Sequence, residues 1–150
     1  MMDVHRILMV VILASGLAVQ SAAEAARPDI SGTWAFETER YRAGLCRLYG
    51  TLRLRPTPED GVYRGAMTAI EDCEGEERWV VEQTNTAFAE DGQLSIQSTI
   101  VSFLEASADP QLYAPDHFAL DIESANLMVG QLVSAVSAPV EFRRTTDGIS

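Results

Sequence analysis

The residue with the clearest potential for acid–base chemistry is His117, the only histidine after residue 5, which directly follows Asp116. A general base or a metal ligand of this type needs other donor groups converging on it in a cleft. A serine nucleophile would also depend on this histidine, and no serine lies in a Gly-x-Ser-x-Gly motif. We therefore interpret His117 as structural and predict a protein that is not an enzyme.

A second group is the acidic run at residues 71–77, in which five of the seven residues carry a carboxylate. Hard cations such as Ca²⁺ prefer oxygen ligands, but this spacing matches no known calcium loop. A charged turn is commonly only solvated, so we predict neither a metal site nor a cofactor. Arginines are concentrated between residues 40 and 64, where they could guard a sheet edge or dock an acidic partner.

The N-terminal 25 residues have the features of a signal peptide. A positive start at residues 5–6 precedes an almost wholly apolar run, residues 7–19, and small residues suit cleavage after Ala23 or Ala25. The run is shorter than the roughly 20 residues that cross a bilayer, although an uncleaved membrane anchor is an alternative. The sequence predicts a periplasmic or secreted protein, a single domain over residues 26–150, and no stable membrane insertion after cleavage.

The composition bounds the class of protein. About 125 residues follow the predicted leader, enough for one domain with its own core, and 47% hydrophobic residues argue against disorder. The formal net charge of −11 becomes about −10 without the leader, which disfavours binding to nucleic acid or anionic lipid. All 11 basic residues are arginine, so Schiff-base lysine chemistry is excluded.

Cys46 and Cys73 are the only two cysteines of the chain, and an even count in an oxidising compartment typically forms a disulfide. The turn-forming sequence at residues 56–61 lies between them, and their midpoint falls between Glu59 and Asp60. A hairpin folded about this turn brings the two sulfurs opposite each other. A redox-active pair is the alternative, but such pairs usually occupy a Cys-x-x-Cys motif at a helix start.

Alternating hydrophobic residues predict eight strands. Their expected bounds are 31–38, 45–55, 62–71, 78–88, 93–104, 117–122, 127–134 and 139–144. Short turns between successive strands favour an up-and-down meander. Such strands can stack as a sandwich or close into a barrel, and closure removes exposed edges. We predict an all-β, eight-stranded antiparallel up-and-down β-barrel with one disulfide; the best helix candidate is a turn within residues 105–111.

The triplet Gly32-Thr33-Trp34 in the first strand resembles the Gly-x-Trp signature of the calycin group, which comprises lipocalins, avidins and bacterial metalloprotease inhibitors. This resemblance implies a barrel closed at one end by Gly32, Trp34 and a basic residue of the last strand. Arg144 is expected in that role rather than Arg143, because it shares a strand face with Phe142, and a cation over an indole ring is stabilising.

Two functions from different classes follow. In the favoured one, a binding module holds a small apolar molecule inside the barrel. The residues expected to line that interior are Phe36, Leu52, Met67, Ile96, Leu120, Met128 and Phe142. In the alternative, a periplasmic interaction protein, resembling the metalloprotease inhibitors in layout, has a packed barrel and acts through a terminus or the loop at 105–116, with Tyr113 and His117 as candidate docking residues.

Overall fold

The computed structural model describes residues 28–145, and eight strands account for most of them. Their bounds are β1 Gly32–Thr38, β2 Cys46–Pro56, β3 Val62–Cys73, β4 Trp79–Glu90, β5 Gln93–Glu105, β6 His117–Ser124, β7 Leu127–Val133 and β8 Ser137–Arg144. Each strand pairs antiparallel with the next, and β8 pairs with β1 to close the barrel. The predicted fold class is confirmed. The predicted signal peptide, residues 1–25, lies outside the described residues.

The strand ends differ from the predicted bounds by one or two residues. β3 extends to Cys73 because that residue pairs with Cys46 at the start of β2. β8 begins at Ser137 rather than Pro139, because Ser137 and Ala138 already pair with the end of β7. The carbonyl of Pro139 faces β1 and accepts a hydrogen bond from the Glu39 N–H at 2.8 Å. Pairing between β1 and β8 begins at Val140, so Pro139 lies outside this pairing and its missing N–H removes no hydrogen bond between the two strands.

The predicted turn at 105–111 is displaced towards the C-terminus. A short 3₁₀ helix covers Pro110–Leu112, and the Asp109 carboxylate caps it by accepting from the Gln111 N–H at 3.0 Å. Glu105 belongs to β5 instead. The described part of the chain has no helix long and apolar enough to cross a membrane.

The first long hairpin has the register that the cysteine spacing predicts. Cys46 lies opposite Cys73 and is bonded to it, and Leu52 lies opposite Met67 on the inner face. The Val62 N–H closes the turn onto the Glu59 carbonyl at 3.2 Å. The predicted disulfide is therefore confirmed.

The interior of the barrel holds a cluster of apolar side chains that alternate along every strand. Its centre is aromatic: the ring centroids of Phe36 and Phe142 lie 5.0 Å apart, and Phe118 contacts both rings edge-on at 5.5 and 5.1 Å. This packing gives the barrel a rigid frame on which the two ends are built.

Candidate functional site

One end of the barrel is sealed by Trp34 and Arg144. The Arg144 guanidinium carbon lies 4.5 Å from the Trp34 ring centroid, and the Trp34 Nε1 donates to the Ile30 carbonyl at 2.9 Å. Gly32 lies beside them, and a Cβ there would be 2.8 Å from the Arg144 Nη1. The guanidinium also donates to the backbone carbonyls of Asp29, Ser31 and Ala125. A ligand that reaches the interior must therefore enter at the other end.

A cavity of about 200 Å³ lies at that open end. Its walls come from the end of β3, the start of β4, the loop 106–116 and the turn 134–136. Trp79, Leu112 and Tyr113 supply apolar surface, whereas Glu71 and Asp116 supply carboxylates. A concave site in which aromatic surface lies beside convergent polar groups is a candidate small-molecule site.

The aromatic wall depends on a β-bulge in β5. Gln83 of β4 pairs with Ile100 and Glu82 pairs with Ser102, so Val101 is an extra residue in β5. The bulge reverses the alternation, which turns Phe103 rather than Ser102 towards the inner face. The Phe103 ring then lies 5.8 Å from the Trp79 ring and 6.0 Å from the Tyr113 ring, while Trp79 and Tyr113 are 5.2 Å apart.

Asp116 is the central polar residue of the cavity, with only 4% of its surface exposed. Its Oδ2 accepts hydrogen bonds from the Gln83 Nε2 and the Tyr113 hydroxyl, both at 2.7 Å. Its backbone N–H donates to the Gln83 Oε1 at 3.0 Å. The Ser134 hydroxyl holds the same loop by donating to the Pro115 carbonyl at 2.9 Å. The loop 106–116 is thus fixed over the open end through buried polar contacts.

Burial raises the pKa of Asp116 to about 6, because the apolar surroundings disfavour the charged carboxylate. The hydrogen bonds from Tyr113 and Gln83 oppose this shift, and the negative charge of Glu71 adds to it. Burial and the Asp116 charge also raise the pKa of the Tyr113 hydroxyl. The negative charges of Glu71 and Asp116 therefore oppose each other at the cavity, and the two hydrogen bonds to Asp116 offset the cost of charging it only in part.

Glu71 forms the second polar group of the open end, with 8% of its surface exposed. Its Oε2 accepts from the Tyr41 hydroxyl at 2.6 Å, and its Oε1 lies 3.5 Å from the Arg42 Nη1. Burial and the hydrogen bond to Glu71 raise the pKa of Tyr41. Arg42 is the one basic residue in the lining of this cavity, and its side chain is about half exposed.

A buried polar layer lies next to Asp116. The Ser98 hydroxyl donates to the Asp116 carbonyl, so it can only accept from the Asn85 Nδ2, at 2.8 Å. This fixes the amide orientation and leaves the buried Asn85 Oδ1 without a hydrogen-bond partner among the described residues. The Ser98 N–H donates to the His117 Nδ1 at 3.0 Å, which gives His117 a structural contact.

A larger depression of about 720 Å³ lies over the outer face of β1 and β8. Outward-facing Glu37, Glu39 and Arg143 line it, and its lining contains no buried charged residue. Exposed charges in an open depression are solvated and bind guests weakly. We therefore take the smaller cavity at the open end as the candidate site.

The structure places the predicted lining residues, the predicted docking residues and the acidic run in different surroundings. The seven predicted lining residues are all buried and belong to the single core cluster. Tyr113 lines the cavity, whereas His117 pairs with β5. The acidic run is divided, because Glu71 faces inward while Glu74 and Glu77 are exposed. Within residues 28–145, no group of three or more His, Cys, Asp or Glu side chains is arranged to hold a metal ion.

Sequence reasoning missed Trp79, Gln83, Glu71 and Asp116 as site residues. One signal was available, since strict alternation from Trp79 places Gln83 and Asn85 on the inner face of β4. Two amides on a face that is otherwise apolar indicate a polar partner inside the barrel. That partner, Asp116, comes from a loop that alternation does not place.

The fold and its two unlike ends define a small closed β-barrel, sealed at one end and concave at the other. No protein-family model matches the chain, and no curated protein matches it. Similar solved structures include a redesigned β-barrel, mFAP1, bound to DFHBI, with a TM-score of 0.56, 12% identity, and coverage of 77% of this chain and 94% of that one. A de novo designed fluorescence-activating β-barrel has a TM-score of 0.50 and 18% identity, with coverage of 77% of this chain and 93% of that one.

A third similar structure, EF1p2_mFAP2b bound to DFHBI, has a TM-score of 0.52 and 12% identity, and covers 77% of this chain and 94% of that one. At these identities the likeness shows the fold alone, because one fold hosts many unrelated functions. Function must therefore be argued from the residues at the open end.

Proposed function

We propose that this protein is an exported, non-enzymatic binding protein that takes a small molecule at the open end of a calycin-like barrel. The main support for this proposal is the cavity of about 200 Å³ beside Trp79, Tyr113 and Asp116. It lies opposite the end that is sealed by Trp34 and Arg144. Apolar cavities of about 150 Å³ bind benzene, so this one has room for a single-ring compound. The export signal predicted at residues 1–25 gives the proposed location, periplasmic or secreted.

A binding role agrees with how the open end is built. Asp116 and Glu71 are buried carboxylates at a rim, where solvation would otherwise favour exposure. Keeping them buried costs stability, and three hydrogen bonds from neighbouring side chains offset that cost only in part. Perturbed titratable groups in a cleft are a feature of functional sites.

The lining of an apolar pocket by the seven interior residues stays a prediction. In the proposed function these residues form the packed core of the barrel, and the small molecule contacts the rings of Trp79 and Tyr113 at the open end. A guest that also displaced a core side chain such as Met128 would extend the site into the barrel.

The test is native mass spectrometry of the full chain, expressed with its leader and purified from the periplasm without unfolding. We expect a retained small-molecule mass that disappears on denaturation. Ala114→Phe places a large side chain on the cavity wall and should abolish the added mass. Ala66→Phe makes the same change on the exposed outer face of β3 and should retain it. Equal retention by both variants would contradict a site at the open end.

A second candidate is a protein that docks another periplasmic protein and carries no ligand. It is favoured by the tight aromatic core and by Leu112, which is 73% exposed on the loop over the open end. The same mass spectrum separates the two functions, because a co-purified protein that is lost on Leu112→Ser would support docking instead of small-molecule binding.

A further inference from the structure

Two side-chain oxygen atoms at and near the open end have no hydrogen-bond donor among the described residues. Both hydrogen bonds to the Asp116 carboxylate go to Oδ2, from Gln83 and Tyr113. No hydrogen bond or ion pair from the described residues reaches Oδ1. One layer away, the buried Asn85 Oδ1 also has no partner within the described chain. Because Asp116 Oδ1 receives no donor from the described residues, it is the carboxylate atom that a guest with an N–H or O–H group can engage.

The charges around the cavity favour the same kind of guest. Glu71, Glu76 and Asp116 line it, against the single cation Arg42. Arg42 is turned to Glu71, with the Nη1 at 3.5 Å from Oε1, and the structure gives it no contact with Asp116. Burial, followed by the negative charges of Asp116 and Glu71, raises the pKa of the rim residue Tyr113. The negative charges of these carboxylates would repel an anionic guest.

The walls of the cavity limit the size and chemistry of the part of the guest that does not contact Asp116. Trp79 and Tyr113 offer aromatic surface with centroids 5.2 Å apart, and Leu112 and Val136 are apolar. A cation near an aromatic ring is attracted by the ring quadrupole. A volume of about 200 Å³ admits a compact molecule and not a long chain.

We infer that the guest is a compact organic cation, a protonated amine or amidine, which presents N–H donors to Asp116 and its apolar part to Trp79. This inference rests on the proposed function, because it names the ligand class of the same cavity. A neutral hydrogen-bond donor would satisfy Asp116 without relieving the negative field. An anion would satisfy neither requirement.

The test compares three single-ring probes that differ in charge: benzylammonium, benzyl alcohol and benzoate. Binding to the full mature protein is measured at pH 8 by calorimetry and by quenching of tryptophan fluorescence. We expect benzylammonium to bind at least tenfold more tightly than benzyl alcohol, and benzoate to bind least. The preference should shrink at pH 5, where Asp116 is largely protonated and benzylammonium keeps its charge.

Asp116→Asn removes the charge while an amide oxygen can still accept from Gln83 and Tyr113. The tenfold preference for benzylammonium over benzyl alcohol should fall to below threefold. The matched control is Asp121→Asn, an exposed carboxylate on β6 outside the cavity, which should keep the preference. This pair separates a local charge effect from the change in net charge.

Two results would overturn the inference. If benzyl alcohol or benzoate binds as tightly as benzylammonium and Ala114→Phe abolishes it, the cationic class is wrong while the open-end site stands. If none of the three probes binds, the cationic class is again wrong, and the retained-mass experiment with Ala114→Phe decides the proposed function separately.

Discussion

The guanidinium carbon of Arg144 lies 4.5 Å from the ring centroid of Trp34, so the last strand of the barrel caps the indole of the first. Arg144 also donates to backbone carbonyls on both sides of the seal, at Asp29 and Ala125. One side chain therefore joins the chain before β1 to the turn between β6 and β7. This makes the sealed end a stability element, distinct from the cavity at the opposite end.

Removing this cation should destabilise the fold. Arg144→Ala loses the cation–π contact and three charge-assisted hydrogen bonds, for which we expect a loss of about 2 to 4 kcal/mol in the free energy of unfolding. Urea denaturation followed by tryptophan fluorescence measures it. Arg143→Ala, a change at the exposed neighbouring position, should cost less than about 0.5 kcal/mol. Similar losses in the two variants would contradict the assigned role of Arg144.

Replacing Gly32 with a larger residue should lower the free energy of unfolding for two separable reasons. Its φ of +118° is strained for any other residue, and an added Cβ would lie 2.8 Å from the Arg144 Nη1. Gly44 also has a positive φ, +80°, but an added Cβ there contacts nothing within 4 Å. We expect Gly32→Ala to cost about 1 to 2 kcal/mol more than Gly44→Ala, and the excess should shrink when Arg144 is also alanine. An undiminished excess in that double variant would contradict the steric explanation.

The disulfide should contribute much of the total stability. Cys46 and Cys73 enclose a loop with a sequence separation of 27, and the chain-entropy model gives about 3.5 kcal/mol for a loop of that size. Replacing both cysteines with serine should lower the free energy of unfolding by about this amount, measured by urea denaturation against the oxidised protein. Reducing the wild type with dithiothreitol should reproduce the loss. A double variant as stable as the oxidised protein would contradict it.

The strands and the disulfide register follow from local sequence rules. Alternation with a period of two decides which face each residue takes, and the breaker cluster at 56–61 decides where the hairpin turns. The pairing of Trp34 with a basic residue of the last strand is instead implied by the resemblance of Gly32-Thr33-Trp34 to the calycin signature. The strand face shared with Phe142 then favours Arg144 over Arg143.

The open end could not be predicted in the same way. Phe103 reaches the rings of Trp79 and Tyr113 only because Val101 is an extra residue in β5. The apolar positions of β5 change from even to odd numbers at Ile100 and Val101, but this change does not show which rings Phe103 will contact. Asp116 and Tyr113 come from the long loop, whose path depends on the buried bonds to Gln83 and on Ser134. The site is therefore assembled by tertiary contacts that no single segment encodes.

The buried carboxyl of Asp116 should make the stability depend on pH. Its pKa in the folded protein, about 6, is above its ordinary value of 3.8, so the folded state binds this proton more tightly than the unfolded state does. The resulting stabilisation is complete below about pH 4 and is lost as the pH rises through 6. By linkage its full size is at most about 3 kcal/mol. Asp116→Asn does not titrate, so it should be more stable than the wild type at pH 8 and equal to it near pH 4.

The measurement is a series of urea denaturations between pH 4 and pH 8 on the wild type, Asp116→Asn and Asp121→Asn. The difference between wild type and Asp116→Asn isolates this carboxyl from all the others, since those titrate in both proteins. The difference for Asp116→Asn should change between about pH 4 and pH 6. Asp121→Asn, at an exposed position outside the cavity, is the matched control for removing one carboxyl. A constant difference for Asp116→Asn across the series would show that the carboxyl is not desolvated in the folded protein, and would remove the main electrostatic support for a binding site at the open end.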